Sequence, residues 1–255
     1  MARGSRIKTE MAIYHITLRG NGRQLLFDGD DDRLLFLNLV RTRMDAQQIS
    51  VVAWCLMSNH VHLLLFDPSN HIADAMRSLG TSYAQYFNKK HGHVGHVFQG
   101  RYGSKPIADE RHLMEAVRYI HANPREAGVS AIETYPWSSY GEYANPEVSK
   151  WHICNTKLLD DVFGSVSDFS AYMHDEPQTP YEALTCGRIA EDMLPAVASS
   201  VLRPLGIDSA YDVAALPVAE RNATLVELRN AKFSVPQIER LTGIGRATIY
   251  RATRK

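Results

Sequence analysis

Met57-Ser58-Asn59-His60-Val61-His62-Leu63-Leu64-Leu65-Phe66 is the stretch whose reading decides the fold. Side chains alternate between faces along a strand. His60 and His62 therefore point one way, and Val61, Leu63 and Leu65 point the other way, into a core. The preceding residues 49–56, Ile-Ser-Val-Val-Ala-Trp-Cys-Leu, read as a second strand, with Met57-Ser58-Asn59 as the tight connection of a hairpin. Neutral imidazole is the commonest side-chain metal ligand, so two rings aimed at one small volume suggest a metal site. Taken alone, the stretch fits an ordinary strand carrying two histidines equally well.

Outward from the hairpin, residues 12–19 are rich in β-branched and aromatic residues and read as a first strand that Gly20-Asn21-Gly22 ends. Asp30-Asp31-Asp32 before an apolar periodic run marks a helix to about Gln47. Ile72, Met76, Leu79, Tyr83 and Phe87 form one stripe of a helix over 71–90. The glycine-punctuated, basic and aromatic residues 92–104 read as a loop leading into another strand. Asp109-Glu110 opens a helix through Leu113, Ala116, Val117 and Ile120, which Pro124 is expected to close, because the residue before proline disfavours α geometry. Strand, helix, hairpin, helix, strand, helix predicts an α+β fold, a ferredoxin-like antiparallel sheet with helices. The aromatic residues 135–143 are expected against the edge of this domain, and 155–215 as short helices separated by Pro177, Pro180, Pro195 and Pro204.

The end of the chain has another character. Ser234-Val235-Pro236-Gln237 combines an N-cap serine, an early proline and a capping-box glutamine. Ile238, Leu241 and Ile244 supply an apolar face, Gly243-Ile244-Gly245 a turn, and Arg246-Ala247-Thr248-Ile249-Tyr250-Arg251 a second, basic helix. This is a helix-turn-helix pattern, completed by a preceding helix over about 219–231.

Among 255 residues the formal net charge is zero, but the charge is segregated. Residues 77–125 carry a net +5, 141–219 a net −8 and 220–255 a net +5. Two basic segments around an acidic connector suit nucleic-acid contact at both ends. Cys55, Cys154 and Cys186 are an odd, widely spaced set, which predicts reduced thiols and a cytoplasmic protein. No apolar stretch approaches the roughly 20 residues that span a bilayer, and the N-terminus lacks a signal-peptide core, so no membrane partner is expected.

Tyr119 and Asn123 stand at i and i+4 and share a helix face. With that pair, Tyr14-His15-Ile16-Thr17-Leu18-Arg19-Gly20-Asn21, Leu56-Met57-Ser58-Asn59-His60-Val61-His62-Leu63-Leu64, Phe98-Gln99-Gly100-Arg101-Tyr102, Tyr119-Ile120-His121-Ala122-Asn123-Pro124 and Tyr135-Pro136-Trp137-Ser138-Ser139-Tyr140 closely resemble the REP-associated tyrosine transposases, relatives of the single-tyrosine HUH transposases. The resemblance covers about residues 8–145 and departs at Met11, where the family usually has glycine. It implies a catalytic domain over 1–145, a helical connector over 146–215 and a helix-turn-helix module over 216–255. It implies that His60, His62 and Asn123 bind Mg²⁺ or Mn²⁺, and that Tyr119 attacks single-stranded DNA at REP-like hairpins to form a 5′-phosphotyrosine, the chemistry of DNA transposition. A base for Tyr119 stays open, with His121 and His15 as candidates. Arg19, Arg23, Arg101 and Tyr102 are expected on DNA, since arginine pairs with phosphate and aromatic rings stack on unpaired bases. Arg246, Thr248, Tyr250 and Arg251 are expected on duplex DNA. The alternatives are a non-cleaving DNA-binding regulator that keeps the fold and an RNA-binding protein with an incidental metal site. Monomer and homodimer stay open.

Overall fold

The computed structural model describes residues 11–175, 181, 194–231 and 233–253. The chain divides into two compact units, residues 1–175 and 176–255. In the first, β1 (Ile13–Arg19), α1 (Asp30–Ala46), β2 (Ser50–Leu56), β3 (His60–Phe66), α2 (Ile72–His91) and β4 (Gly103–Pro106) run in the expected order. They make a four-stranded sheet in the order β2-β3-β1-β4, antiparallel at every pairing, which is the ferredoxin-like arrangement. After it come α3 (Glu110–Glu126), α4 (Tyr140–Ala144), α5 (Asp160–Phe163) and α6 (Val166–His174).

One sheet face is apolar. Tyr14, Ile16 and Leu18 of β1, Trp54 and Leu56 of β2, and Val61, Leu63 and Leu65 of β3 are buried against Phe36, Val40 and Met44 of α1 and Met76, Leu79 and Tyr83 of α2. Each such side chain contributes roughly 1.5–3 kcal/mol by leaving water. Asp32 closes the open end of α1: its carboxylate accepts the Asp28 amide at 2.9 Å and ties α1 to α2 through Tyr86 Oη at 2.9 Å and Lys90 Nζ at 2.7 Å. Burial alone would push this carboxyl up, but the bonds from Lys90, the Asp28 amide and Tyr86 outweigh it and hold it at about 2.

The outer edge of β2 is covered by its own chain. The Leu56 amide donates to Trp137 O at 2.9 Å, the Ser139 amide to Trp54 O at 3.0 Å and the Asn155 amide to Val51 O at 2.8 Å. The aromatic segment thus lies along the edge where it was expected.

Several expectations need correction. The helix α3 continues through Pro124 to Glu126. Pro124 is itself buried, and the Asn123 and Pro124 carbonyls find the amides of Ala127 at 3.0 Å and Val129 at 2.8 Å, so packing overrides the local preference. Pro195 lies within the helix Leu194–Leu202 near its start, where no N–H is needed. Pro204 sits in the first turn of a short 3₁₀ helix; Pro177, Pro180 and Cys186 lie outside the described residues. The first unit runs past residue 145 because Glu142 accepts the amides of Ile153 at 2.7 Å and Cys154 at 2.8 Å, and Arg118 holds Tyr172. No boundary falls at 215: Leu194, Val197 and Leu202 share one core with Leu225, Leu228, Ile238 and Ile249. In this second unit the helices are Val218–Asn230, Val235–Thr242, with its Ser234–Gln237 capping box, and Arg246–Thr253.

Candidate metal centre and nucleophile

The second sheet face carries the polar residues. Cross-strand pairing sets Arg19 opposite His60, Thr17 opposite His62 and Lys105 opposite His15. Gly103 lies opposite Thr17 because a Cβ there would stand 2.5 Å from Thr17 Oγ1. α3 packs over this face on β2 and β3. Its N-cap is Asp109, which accepts the His112 amide at 2.8 Å. Leu113, Ala116, Val117 and Ile120 are buried, so the helix is anchored and the Tyr119–Asn123 edge comes down on the histidines.

The rings of His60 and His62 lie edge-to-face with centroids 5.0 Å apart. His60 Nδ1 is 2.8 Å from Asn59 Oδ1, and Asn59 Nδ2 donates to Arg23 O at 3.3 Å. That fixes the Asn59 amide, so His60 Nδ1 carries the proton and donates. His60 Nε2 then presents a lone pair, and 3.3 Å away stands Asn123 Oδ1. The Asn123 amide is fixed too, since its Nδ2 donates to Tyr119 O at 3.2 Å. Two electron-rich atoms thus face one another, an arrangement that a cation between them stabilises. Burial, above all, lowers the His60 pKa; the Asn123 contact opposes it and Arg19 adds to it.

His62 is the third candidate donor. Its Nδ1 meets His15 Nε2 at 2.8 Å, with the two rings stacked. Its Nε2 is buried and has no hydrogen-bond partner among the described residues. An orphaned buried nitrogen beside the His60–Asn123 pair fits a third ligand, with Nδ1–H donating to His15. Burial first, then the charges of His15, His60, Lys105 and Arg19, holds the His62 pKa well down; burial, Lys105 and His112 push His15 down to about 3. Among the described residues, no group of three or more His, Cys, Asp or Glu is gathered for a metal; the oxygen donor here is an amide.

The half-buried Tyr119 ring stands edge-on to His62 at 5.5 Å and lies 5.9 Å from His15. The two candidate bases are separated. His15 packs beside Tyr119, whereas His121 turns into the core, its Nε2 2.7 Å from Ser139 Oγ. Of the partners that orient the histidines, Asn59 had no assigned role from sequence, and His15 was expected only as a candidate base for Tyr119. Asn59 adjoins His60, but the His15–His62 bond joins residues far apart in the chain.

The expected DNA contacts are dispersed. Arg19 is exposed beside His60, and Arg23 is exposed in the 3₁₀ turn Asn21–Arg23. Arg101 and Tyr102 line a groove of about 750 Å³ with Arg77, Gly80 and Phe98, which neither His60, His62, Tyr119 nor Asn123 borders. In the second unit Arg246 is engaged by Glu239 at 2.6 Å, and Arg251 folds back on Ala247 O at 3.3 Å. Tyr250 is 60% exposed, and Thr248 is partly buried. No described helix is long and apolar enough to cross a membrane.

The family model of IS200-like transposases matches residues 8–123. A Haemophilus influenzae protein described as a REP-associated tyrosine transposase is 25% identical over 154 residues, covering 55% of this chain and 85% of that protein. Two solved structures are similar. One, of a REP-associated tyrosine transposase bound to a REP hairpin, has a TM-score of 0.48 at 15% identity and covers 60% of this chain and 90% of its own. The other, described as a transposase from Deinococcus radiodurans R1, has a TM-score of 0.33 at 19% identity and covers 51% and 99%. The quoted motifs, the family match over residues 8–123 and the curated relative agree in what this chain is similar to: the IS200-like transposases, REP-associated tyrosine transposases among them.

Proposed function

We propose that the protein cleaves and rejoins single-stranded DNA at REP-like hairpins through a covalent bond to Tyr119, as a step of DNA transposition. The observation that carries this reading is the 3.3 Å approach of His60 Nε2 to Asn123 Oδ1, with the unpartnered His62 Nε2 on a ring whose centroid lies 5.0 Å from that of His60 and 5.5 Å from that of Tyr119. Two imidazole nitrogens and an amide oxygen suit Mg²⁺ or Mn²⁺, Mn²⁺ being the more tolerant of imidazole. A divalent cation held by His60, His62 and Asn123 would polarise the scissile phosphate and offset its charge.

The Tyr119 oxygen attacks phosphorus and gives up its proton. The bond from phosphorus to the 3′ oxygen breaks, and that oxygen leaves as a hydroxyl once protonated. The 5′ phosphate remains on Tyr119. In the reverse sense a 3′ hydroxyl attacks the phosphotyrosine, and Tyr119 regains its proton, so rejoining needs no nucleotide cofactor. His15 and Asn59 hold the imidazoles in the tautomers that free both Nε2 atoms. Arg19, Arg23, Arg101 and Tyr102 track the single strand. The residues 234–253 act as a helix-turn-helix on duplex, with Thr248, Tyr250 and Arg251 toward DNA and Arg246 joining once released from Glu239.

Incubating the chain with a synthetic hairpin carrying flanking single strand and Mn²⁺ should give a protein–DNA adduct that survives denaturing electrophoresis. No adduct with Mg²⁺ or Mn²⁺, together with tight hairpin binding, would instead identify a non-cleaving regulator.

A further inference from the structure

Arg118 immediately precedes Tyr119, yet its side chain is buried against α6. Its Nε and Nη2 both donate to Tyr172 O, at 3.1 and 2.8 Å. Its Nη1 reaches both Glu115 oxygens at 3.2 and 3.3 Å. The guanidinium carbon lies 3.6 Å from the centre of the Tyr172 ring, and Tyr172 Oη donates to Glu115 Oε1 at 3.1 Å. The acceptor is well chosen. Tyr172 is in the last turn of α6, where carbonyls lack partners within the helix and carry the negative end of its dipole. Two residues after Tyr119, His121 is fixed to Ser139, and its ring packs on Tyr140 and Phe169. Both flanks of Tyr119 are thus held by a segment outside the matched residues 8–123.

Packing alone does not call for this arrangement. A buried ion pair costs desolvation that apolar side chains of the same volume avoid. What the arginine fork adds is direction: its donors lie in one plane and bind only one orientation of α3 relative to α6. We propose that Arg118 is a positioning residue, which with Glu115 and Tyr172 sets the roll of α3 and thereby the place of the Tyr119 hydroxyl against His60, His62 and Asn123. This inference rests on Tyr119 being the nucleophile. A displacement of about 1 Å at a reacting group can cost about 100-fold in rate.

The test uses the full chain with Arg118→Met and Arg118→Lys. Single-turnover adduct formation on the hairpin with Mn²⁺ is measured against DNA concentration, at a temperature where circular dichroism shows every variant folded. Backbone hydrogen exchange at residues 119–123 is followed in parallel. Arg118→Met should lower the saturating rate about 100-fold while half-saturation stays within about twofold, and exchange should speed about tenfold in α3 but not in β3. Arg118→Lys, with charge but no fork, should fall between. A saturating rate within about threefold of wild type in Arg118→Met, or unchanged exchange at 119–123 in both Arg118 variants, overturns the proposal. If wild type forms no adduct, the nucleophile reading fails by itself, and the exchange comparison still decides whether Arg118 fixes α3.

Discussion

Replacing Asp32 by asparagine tests how the apolar half of the first unit is held. The side chain has no exposure and receives Lys90 Nζ at 2.7 Å, Tyr86 Oη and the Asp28 amide at 2.9 Å, and His91 Nε2 at 3.2 Å. Folding lowers its pKa from 3.8 to about 2, which at about 1.4 kcal/mol per pKa unit is worth about 2 kcal/mol of preference for the carboxylate. Asparagine also turns an NH₂ toward donors that then lose their acceptor, so about 2–4 kcal/mol should be lost at pH 7. Trp54, Trp137 and Trp151 all lie in the first unit, so tryptophan fluorescence in a urea titration reports this unit alone. The midpoint should fall at constant slope. Because the folded pKa is depressed, the carboxylate's contribution is complete above 3.8 and is lost as pH falls toward about 2. The gap between wild type and variant should therefore be level from neutral pH down to the ordinary carboxylate range and narrow below it. A gap under about 0.5 kcal/mol at pH 7, or one that grows on acidification, would refute the reasoning.

Tyr119→Phe should keep hairpin affinity and form no covalent adduct on denaturing gels; an adduct that persists would move the nucleophile elsewhere. A chelator should abolish adduct formation and Mn²⁺ restore it, whereas His62→Ala should stay inactive at any Mn²⁺ concentration; chelator-resistant activity counts against the metal centre. Glu142→Leu deprives Trp54 Nε1 and the Ile153 and Cys154 amides of one acceptor, and should cost about 2–4 kcal/mol in urea melts. Gly103→Ala drives a methyl to 2.5 Å from Thr17 Oγ1 and should cost about 1–3 kcal/mol by the same measurement; a neutral result would show that β4 yields freely.

The sheet was legible because its signals are local. A period of two along His60–Phe66 assigns every side chain to a face, and the acidic run before Leu34 marks the start of α1 without tertiary information. Pro124 and Pro195 depart from expectation for two different reasons: burial around Pro124 outweighs a local bias of about a few kcal/mol, whereas Pro195 falls near the start of its helix, where that bias does not act. Asn123 and Tyr119 could be paired from helical spacing, but what orients them could not. His15 meets His62 from another strand, and Arg118 meets Tyr172 from another helix. Such contacts leave no periodic trace, and 146–175 lacks a stripe long enough to show that it belongs with the first unit.

The covered edge of β2 bears on how this protein behaves when crowded. An open strand edge templates the addition of a strand from another chain, the first step of edge-to-edge polymerisation. Here an incoming chain would have to strip the amides of Leu56, Ser139 and Asn155 from partners they already hold. The opposite edge, β4, is four residues long and ends in Pro106, which has no N–H to offer. A sheet closed at one side by its own chain and cut short at the other should resist fibre growth.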